Sequence, residues 1–347
     1  MIQRHVPLAL LLAIGLIVLG QPTKTFTNPL LPSGPDPHIT FFQGNYYLTH
    51  TTGTDIRVRK AASLAGLGQA EERYVWSDFE PERCCHLWAP EFHRLKNPAG
   101  QFRWYMYYTA GPSECCASQR MHVLESEADD PLGPYNYKGR LFDAQHDFWA
   151  IDPTVFESRG RLYVVYSGTP QDKMPFEKPQ NLYIARLQNP WTISGQRVEI
   201  AAPSQPWELI GGPVNEGPAL ARRAGKLYLA YSGSGCWTDD YAAGVLVASE
   251  AADLLSPRSW QKMPRPFLQR RDAAGVFGPG HNSFFKSPDG KEDWIVYHAN
   301  PEPGLECKDR RSPRAQKLTW GSDGLPRLTP TAPNSPLPLP SGDPGLR

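Results

Sequence analysis

Five short apolar runs, each dense in aromatic residues, punctuate the chain: Tyr46–Thr49, Trp104–Tyr108, Leu162–Tyr166, Leu227–Tyr231 and Trp294–His298. They read as strands, which favour aromatic and β-branched side chains. With positions 47, 105, 163, 228 and 295 taken as equivalent, the steps are 58, 58, 65 and 67 residues. Each run follows a turn signal: Gly44-Asn45, Asn97-Pro98-Ala99-Gly100, Ser158-Arg159-Gly160, Ala224-Gly225 or Pro288-Asp289-Gly290. Such turns close hairpins, so a second strand must precede each one. Those earlier strands open at Asp36, Glu91, Asp152, Glu216 and His281, which lie 11, 14, 11, 12 and 14 residues before the aligned positions.

Five β units that each open on an ionisable residue predict an all-β, five-bladed β-propeller folded as a single domain. In a propeller the innermost strand of each blade lines a central channel. The five strand starts then converge from distant points in the chain. A step of 58 to 67 residues exceeds the usual propeller repeat, and the surplus falls in long connections over 71–86, 111–120 and 201–215. Long loops at one end of a rigid scaffold commonly build a binding site.

Composition narrows the reading. The 347 residues include 36 Pro, which argues against a mostly helical chain. With 36 Lys and Arg against 35 Asp and Glu, the net charge is +1, so no general field draws a nucleic acid. No dinucleotide-binding loop is visible, and no organic cofactor is expected. Residues 1–20 pair Arg4 and His5 with an apolar run over 6–19 and a closing Gly20, the pattern of a secretory signal peptide. That run is shorter than the ~20 apolar residues a spanning helix needs. A secreted or periplasmic protein is expected, with no membrane contact once the signal is removed. In an oxidising compartment, Cys84, Cys85, Cys115, Cys116, Cys236 and Cys307 are disulfide candidates.

Asp36, Asp152 and Glu216 are costly to bury together unless their pKa values are driven apart. That suits one group held as base, one as acid and a third tuning them. An acidic ring binding a cation is the competing reading.

The stretches GPDPHI (34–39), WAPEFH (88–93), WAIDPTVF (149–156), VNEGPAL (214–220), GCWTDDYAAGVLVA (235–248), GPGHNSFFKSPDGKEDWIVYHAN (278–300) and RSPRAQKLTW (311–320) resemble glycoside hydrolase family 43. The resemblance spans most of the chain and is strongest toward the exo-acting α-L-arabinofuranosidase branch. It implies a five-bladed propeller with Asp36 as general base, Glu216 as general acid and Asp152 tuning the acid. It also implies inversion at the anomeric carbon, which needs the acid and base ~6.5–9.5 Å apart with water between them. His281 matches a histidine at the propeller centre that often accompanies a calcium or other ion. Arg314 matches a position near the sugar. Trp88, Trp149 and Trp237 are candidates for the walls and rim of a carbohydrate pocket. Glu91 receives no catalytic role from the resemblance and reads as orienting or structural.

Two features depart from the pattern: Gln119-Arg120-Met121 replaces His-Arg-Met, and the vicinal cysteine pairs are unusual. Both pairs fall on one face of the blade II hairpin, so at least one bridge between them is expected, with Cys236–Cys307 following by the same argument. The propeller domain is expected over 26–328, and the Pro-rich 329–347 as a loosely held tail. The leading expectation is release of terminal α-L-arabinofuranosyl units from plant polysaccharides or oligosaccharides. A β-xylosidase or endo-arabinanase is the near alternative, and a non-catalytic glycan-binding propeller is the alternative of another class.

Overall fold

The computed structural model describes residues 24–172 and 179–346. The proposed signal peptide lies outside them. Five antiparallel sheets follow one another in chain order. Blade I comprises His38–Phe42, Asn45–Thr49, Ile56–Ala61 and Glu72–Trp76. Blade II comprises Cys85–Lys96, Phe102–Gly111, Arg120–Ser126 and Tyr135–Arg140, and blade III Ala150–Ser158, Arg161–Gly168, Asn181–Asn189 and Thr192–Ala201. Blade IV comprises Asn215–Arg223, Lys226–Gly233, Ala242–Ser249 and Gln261–Lys262; blade V has three strands, Phe277–Lys286, Asp293–Asn300 and Ser312–Lys317. The aromatic runs form the second strand of every blade. Among the described residues, no helix is long and apolar enough to cross a membrane.

The runs are apolar at every position because a blade is packed on both faces. In blade II, Tyr105 and Tyr107 join the cluster shared with Val164 and Tyr166 of blade III. Trp104, Met106 and Tyr108 face the opposite way, toward Tyr47 and Val58 of blade I. Sheets buried on both faces lose the alternation of half-exposed strands. Five such clusters, one at each blade boundary, hold the ring together.

The ring closes with both ends of the chain. Thr25–Thr27 pairs antiparallel with Pro336–Pro338. Asn28 exchanges two hydrogen bonds with Ala315 of blade V's third strand, both 2.9 Å. Leu337 and Leu339 pack on the cluster between blades I and V, and Asp343 accepts the Leu64 backbone N–H at 2.9 Å. The tail is therefore tied down, contrary to expectation. Its prolines suit this edge position, where few N–H donors are needed.

All six cysteines are paired, but Cys84 bonds to Cys85 and Cys115 to Cys116, so no bridge crosses between the two vicinal pairs. Proximity along the chain wins over proximity across the hairpin. Cys236–Cys307 joins the loops of blades IV and V as expected.

Candidate active site

Each inner strand enters the channel through one residue in the left-handed region: Asp36 (φ 53°), Ala89 (φ 43°), Asp152 (φ 57°), Gly217 (φ 54°) and His281 (φ 43°). In blades II to V the hairpin register breaks at this point. Four strained residues and one glycine at equivalent places mark a functional rim, since such conformations in non-glycine residues persist only where the surroundings enforce them. Proline follows four of them, at positions 37, 90, 153 and 218. The sequence-predicted strand openings are therefore one residue early in blade IV, where Gly217 and not Glu216 is the counterpart, and two residues late in blade II. Ala89, not Glu91, is blade II's counterpart of Asp36 and Asp152, and Glu91 stands two residues further along its strand.

Asp36, Asp152, Glu216 and His281 line one pocket of about 310 Å³ with Trp88, Trp149, Trp237 and Arg311. Two of the disulfides contribute to its wall through Cys116, Cys236 and Cys307. Trp149 is buried, with its indole N–H donated to the Cys116 carbonyl at 2.9 Å. Trp237 is 39 % exposed, as a rim residue would be. Gln119 is buried and donates to the His86 carbonyl at 3.2 Å, steadying the approach to Trp88.

The sequence-predicted Arg314 is not brought to the pocket. It is 0 % exposed and its guanidinium donates to the carbonyls of Gly275 and Asn300. The pocket's guanidinium belongs to Arg311, which donates to Asp36 Oδ1 at 2.8 Å. Thr51 donates to the other oxygen, Oδ2, at 2.7 Å. His298 Nδ1 stands 3.1 Å from the Asp36 backbone nitrogen and 3.2 Å from Oδ1. Sequence reasoning missed Arg311, Thr51 and His298: Arg311 and His298 lie inside the family-like stretches 311–320 and 278–300 but were given no role there, and Thr51 lies in a loop outside them.

The environments of the carboxylates diverge. Burial alone would raise the Asp36 pKa, but Arg311, then His281 and His298, overcome it and hold the group well below the usual carboxylate range. Glu216 has no cationic neighbour of that strength. Burial first, and the Asp152 charge second, push it up to about 7. Tyr241 donates to Glu216 Oε1 at 2.8 Å. Burial likewise raises Asp152, whose Oδ2 accepts the Gly217 backbone N–H at 3.1 Å. Gly217 keeps room here for the His281 ring, which an added Cβ would meet at 3.0 Å. Gly280 makes similar room for Tyr241, whose ring would lie 2.4 Å from an added Cβ.

His281 Nδ1 lies 3.3 Å from Asp36 Oδ1. Burial disfavours its charged form, yet Asp36, Asp152, Glu216 and Glu91 together raise its pKa. Calcium takes six to eight oxygen ligands. Here the carboxylates are already engaged by Arg311, Thr51, the Gly217 N–H and Tyr241. The donor set fits a proton-holding imidazole and not a calcium cage built from protein oxygens.

The chain shares 38 % identity over 341 residues with an extracellular exo-α-(1→5)-L-arabinofuranosidase of Streptomyces avermitilis, covering 92 % of this chain and 68 % of that one. A Streptomyces chartreusis enzyme of the same description is 34 % identical over 280 residues, 79 % of this chain and 82 % of its own. The crystal structure of an α-L-arabinofuranosidase from Lactobacillus brevis superposes with a TM-score of 0.80 at 33 % identity, over 89 % of this chain and 98 % of that one. Residues 26–326 match the glycosyl hydrolases family 43. With five blades around three buried carboxylates of divergent acidity, the chain belongs to glycosyl hydrolases family 43.

Proposed function

We propose that the protein is a secreted, exo-acting α-L-arabinofuranosidase that cleaves with inversion, with Asp36 as general base, Glu216 as general acid and Asp152 tuning the acid. One observation carries the mechanism: two buried carboxyl groups in one pocket have acidities driven apart, Asp36 downward and Glu216 up to about 7. A group ionised at neutral pH can take a proton from water. One still protonated near neutrality can give its proton to the departing oxygen. In the step, Asp36 removes a proton from water as its oxygen bonds to the anomeric carbon. The C–O bond to the leaving group breaks, and the Glu216 proton passes to that oxygen. Asp152 keeps a charge near Glu216 and, through the Gly217 N–H, fixes the backbone that carries it. Arg311 and Thr51 hold Asp36 by both oxygens, so its orientation does not depend on substrate.

The arabinofuranoside specificity is supported by the two Streptomyces relatives and the Lactobacillus brevis structure, all described by that activity. Both Streptomyces relatives are described as extracellular, and the leader-like pattern over 1–20 supports export here. Hydrolysis of aryl α-L-arabinofuranoside, aryl β-D-xyloside and linear arabino-oligosaccharides tests the proposal. Cleavage of the arabinofuranosides with single-sugar release is expected. Activity on the xyloside alone would refute the specificity, and no cleavage of any would refute the enzyme reading.

A further inference from the structure

Below the catalytic rim the axial channel holds a second cluster that the chemistry above does not use. Side chains of a strand alternate, so the residue two places beyond each left-handed rim residue faces the axis one level down. Blades III, IV and V supply Thr154, Ala219 and Ser283 at that level; blades I and II supply His38 and Glu91. His93, two residues further, completes a group of three. His38, Glu91 and His93 each offer a ligand atom, all within 4.8 Å of one another. They line a cavity of about 280 Å³ that shares no residue with the catalytic pocket.

His38 is 9 % exposed, and its Nδ1 is buried with no hydrogen-bond partner. A buried polar atom left unpaired is costly, and its retention asks for a partner. Glu91 accepts from His93 Nε2 at 2.9 Å. The rings are steadied from outside: Phe92 stands edge-on to His38 at 5.0 Å, and Tyr107 meets His93 at 5.7 Å.

We propose that His38, Glu91 and His93 bind a divalent first-row transition metal of the zinc class, which pins blade I to blade II at the axis. Two imidazoles and one carboxylate suit zinc and its neighbours, and suit calcium and magnesium poorly. A water completes the coordination. On binding, His93 ligates as a neutral imidazole through Nε2 with its ring hydrogen on Nδ1, so the metal takes the place of the hydrogen between His93 and Glu91, and buried His38 gains a partner. The role is structural and independent of the glycosidase assignment.

The test uses the full mature chain, stripped with chelator, dialysed and titrated with Zn²⁺, with Co²⁺ as a visible-absorption probe. Expected are one Zn²⁺ per chain, a rise in Tm on binding, and a Co²⁺ spectrum of a low-coordinate nitrogen–oxygen site. His93→Ala and Glu91→Gln should each weaken binding roughly a hundredfold or more, with folding checked by near-UV circular dichroism. His38→Asn gives a second variant at the most buried position. His281→Ala should leave the stoichiometry unchanged. Failure of the wild type to bind Zn²⁺ stoichiometrically overturns the proposal, as does undiminished binding by folded His93→Ala and Glu91→Gln. Loss of the metal only in His281→Ala would place it in the catalytic pocket and also overturn it.

Discussion

Tyr241 connects the two ends of the reaction: its hydroxyl donates to Glu216 Oε1 at 2.8 Å while its ring lies parallel to His298, 8° between planes and 5.7 Å between centroids. His298 in turn stands beside Asp36. The acid and the base are therefore positioned through one stacked pair. Because Tyr241 gives its hydrogen to Oε1, the acidic hydrogen of Glu216 belongs on Oε2.

Replacing Tyr241 by Phe removes a hydrogen bond that favours ionised Glu216. The pKa of Glu216 should rise, moving the alkaline limb of the kcat/KM profile to higher pH. A fall in kcat of about tenfold should accompany the shift, since the acid loses its orienting partner. An alkaline limb that stays in place or moves down would show that Glu216 does not set it.

Glu216→Gln should cost about 10²–10⁴ in kcat on unactivated arabino-oligosaccharides, and much less on an aryl glycoside with a good leaving group. In the wild type, activity should decline as pH rises through about 7, where Glu216 loses its proton. Full activity of the variant on the oligosaccharide would remove Glu216 from the mechanism.

The same substitution should stabilise the fold in a pH-dependent way. The folded-state pKa of Glu216 is raised above its usual value of 4.5, so between 4.5 and about 7 the native state binds more protons than the unfolded one. Wild-type stability therefore falls as pH rises across that window, and glutamine escapes the loss. The Tm gain of Glu216→Gln should be larger at pH 8 than at pH 5. A gain equal at both would contradict the sign.

Arg311→Ala and Arg314→Ala should separate in kcat. Loss of Arg311 strands the buried Asp36 carboxylate and should lower kcat as well as Tm. Loss of Arg314, wholly buried among backbone carbonyls, should lower Tm with kcat unchanged in the folded fraction. Paired kinetic and calorimetric measurements decide it.

Glu208 is buried at the base of the loop leading to Glu216. It accepts Lys262 Nζ at 2.6 Å, the Tyr231 hydroxyl at 2.7 Å and Asn215 Nδ2 at 3.1 Å. Glu208→Ala strands the Lys262 charge and should destabilise the protein by about 3–5 kcal/mol. Urea unfolding measures the cost, and a change below 1 kcal/mol, roughly that of an exposed pair, would contradict this account.

The propeller was legible because packing on both faces of a blade leaves uninterrupted aromatic runs such as Trp104–Tyr108, and five runs are hard to arrange otherwise. Asp36, Asp152 and Glu216 were legible as ionisable residues opening strands. The level of Glu91 was not, because the left-handed position in blade II is occupied by Ala89, which carries no chemical signal. The proline that follows Ala89, as prolines follow Asp36, Asp152 and Gly217, was the mark that could have set the register. Arg311, Tyr241 and His298 escaped because their roles arise only when separate blades meet. Arg314 fell three residues from the working guanidinium, a distance that in a strand reverses the face. The vicinal bridges escaped because hairpin proximity favours cross-pairing, and the chain chose its nearest neighbour instead.

The ribbon between Thr25–Thr27 and Pro336–Pro338 gives the molecule a mechanical seam. Its strands run antiparallel with Thr25 opposite Pro338, so tension on the two termini opens the pairs one after another instead of shearing them together. Blade hairpins carry seven or eight aligned pairs in places, against three in the ribbon. A pulled or tethered molecule should part at its ends first and keep the blades shut around the pocket. Attachment through either terminus, to a surface or an added module, would then load the clasp and spare the site.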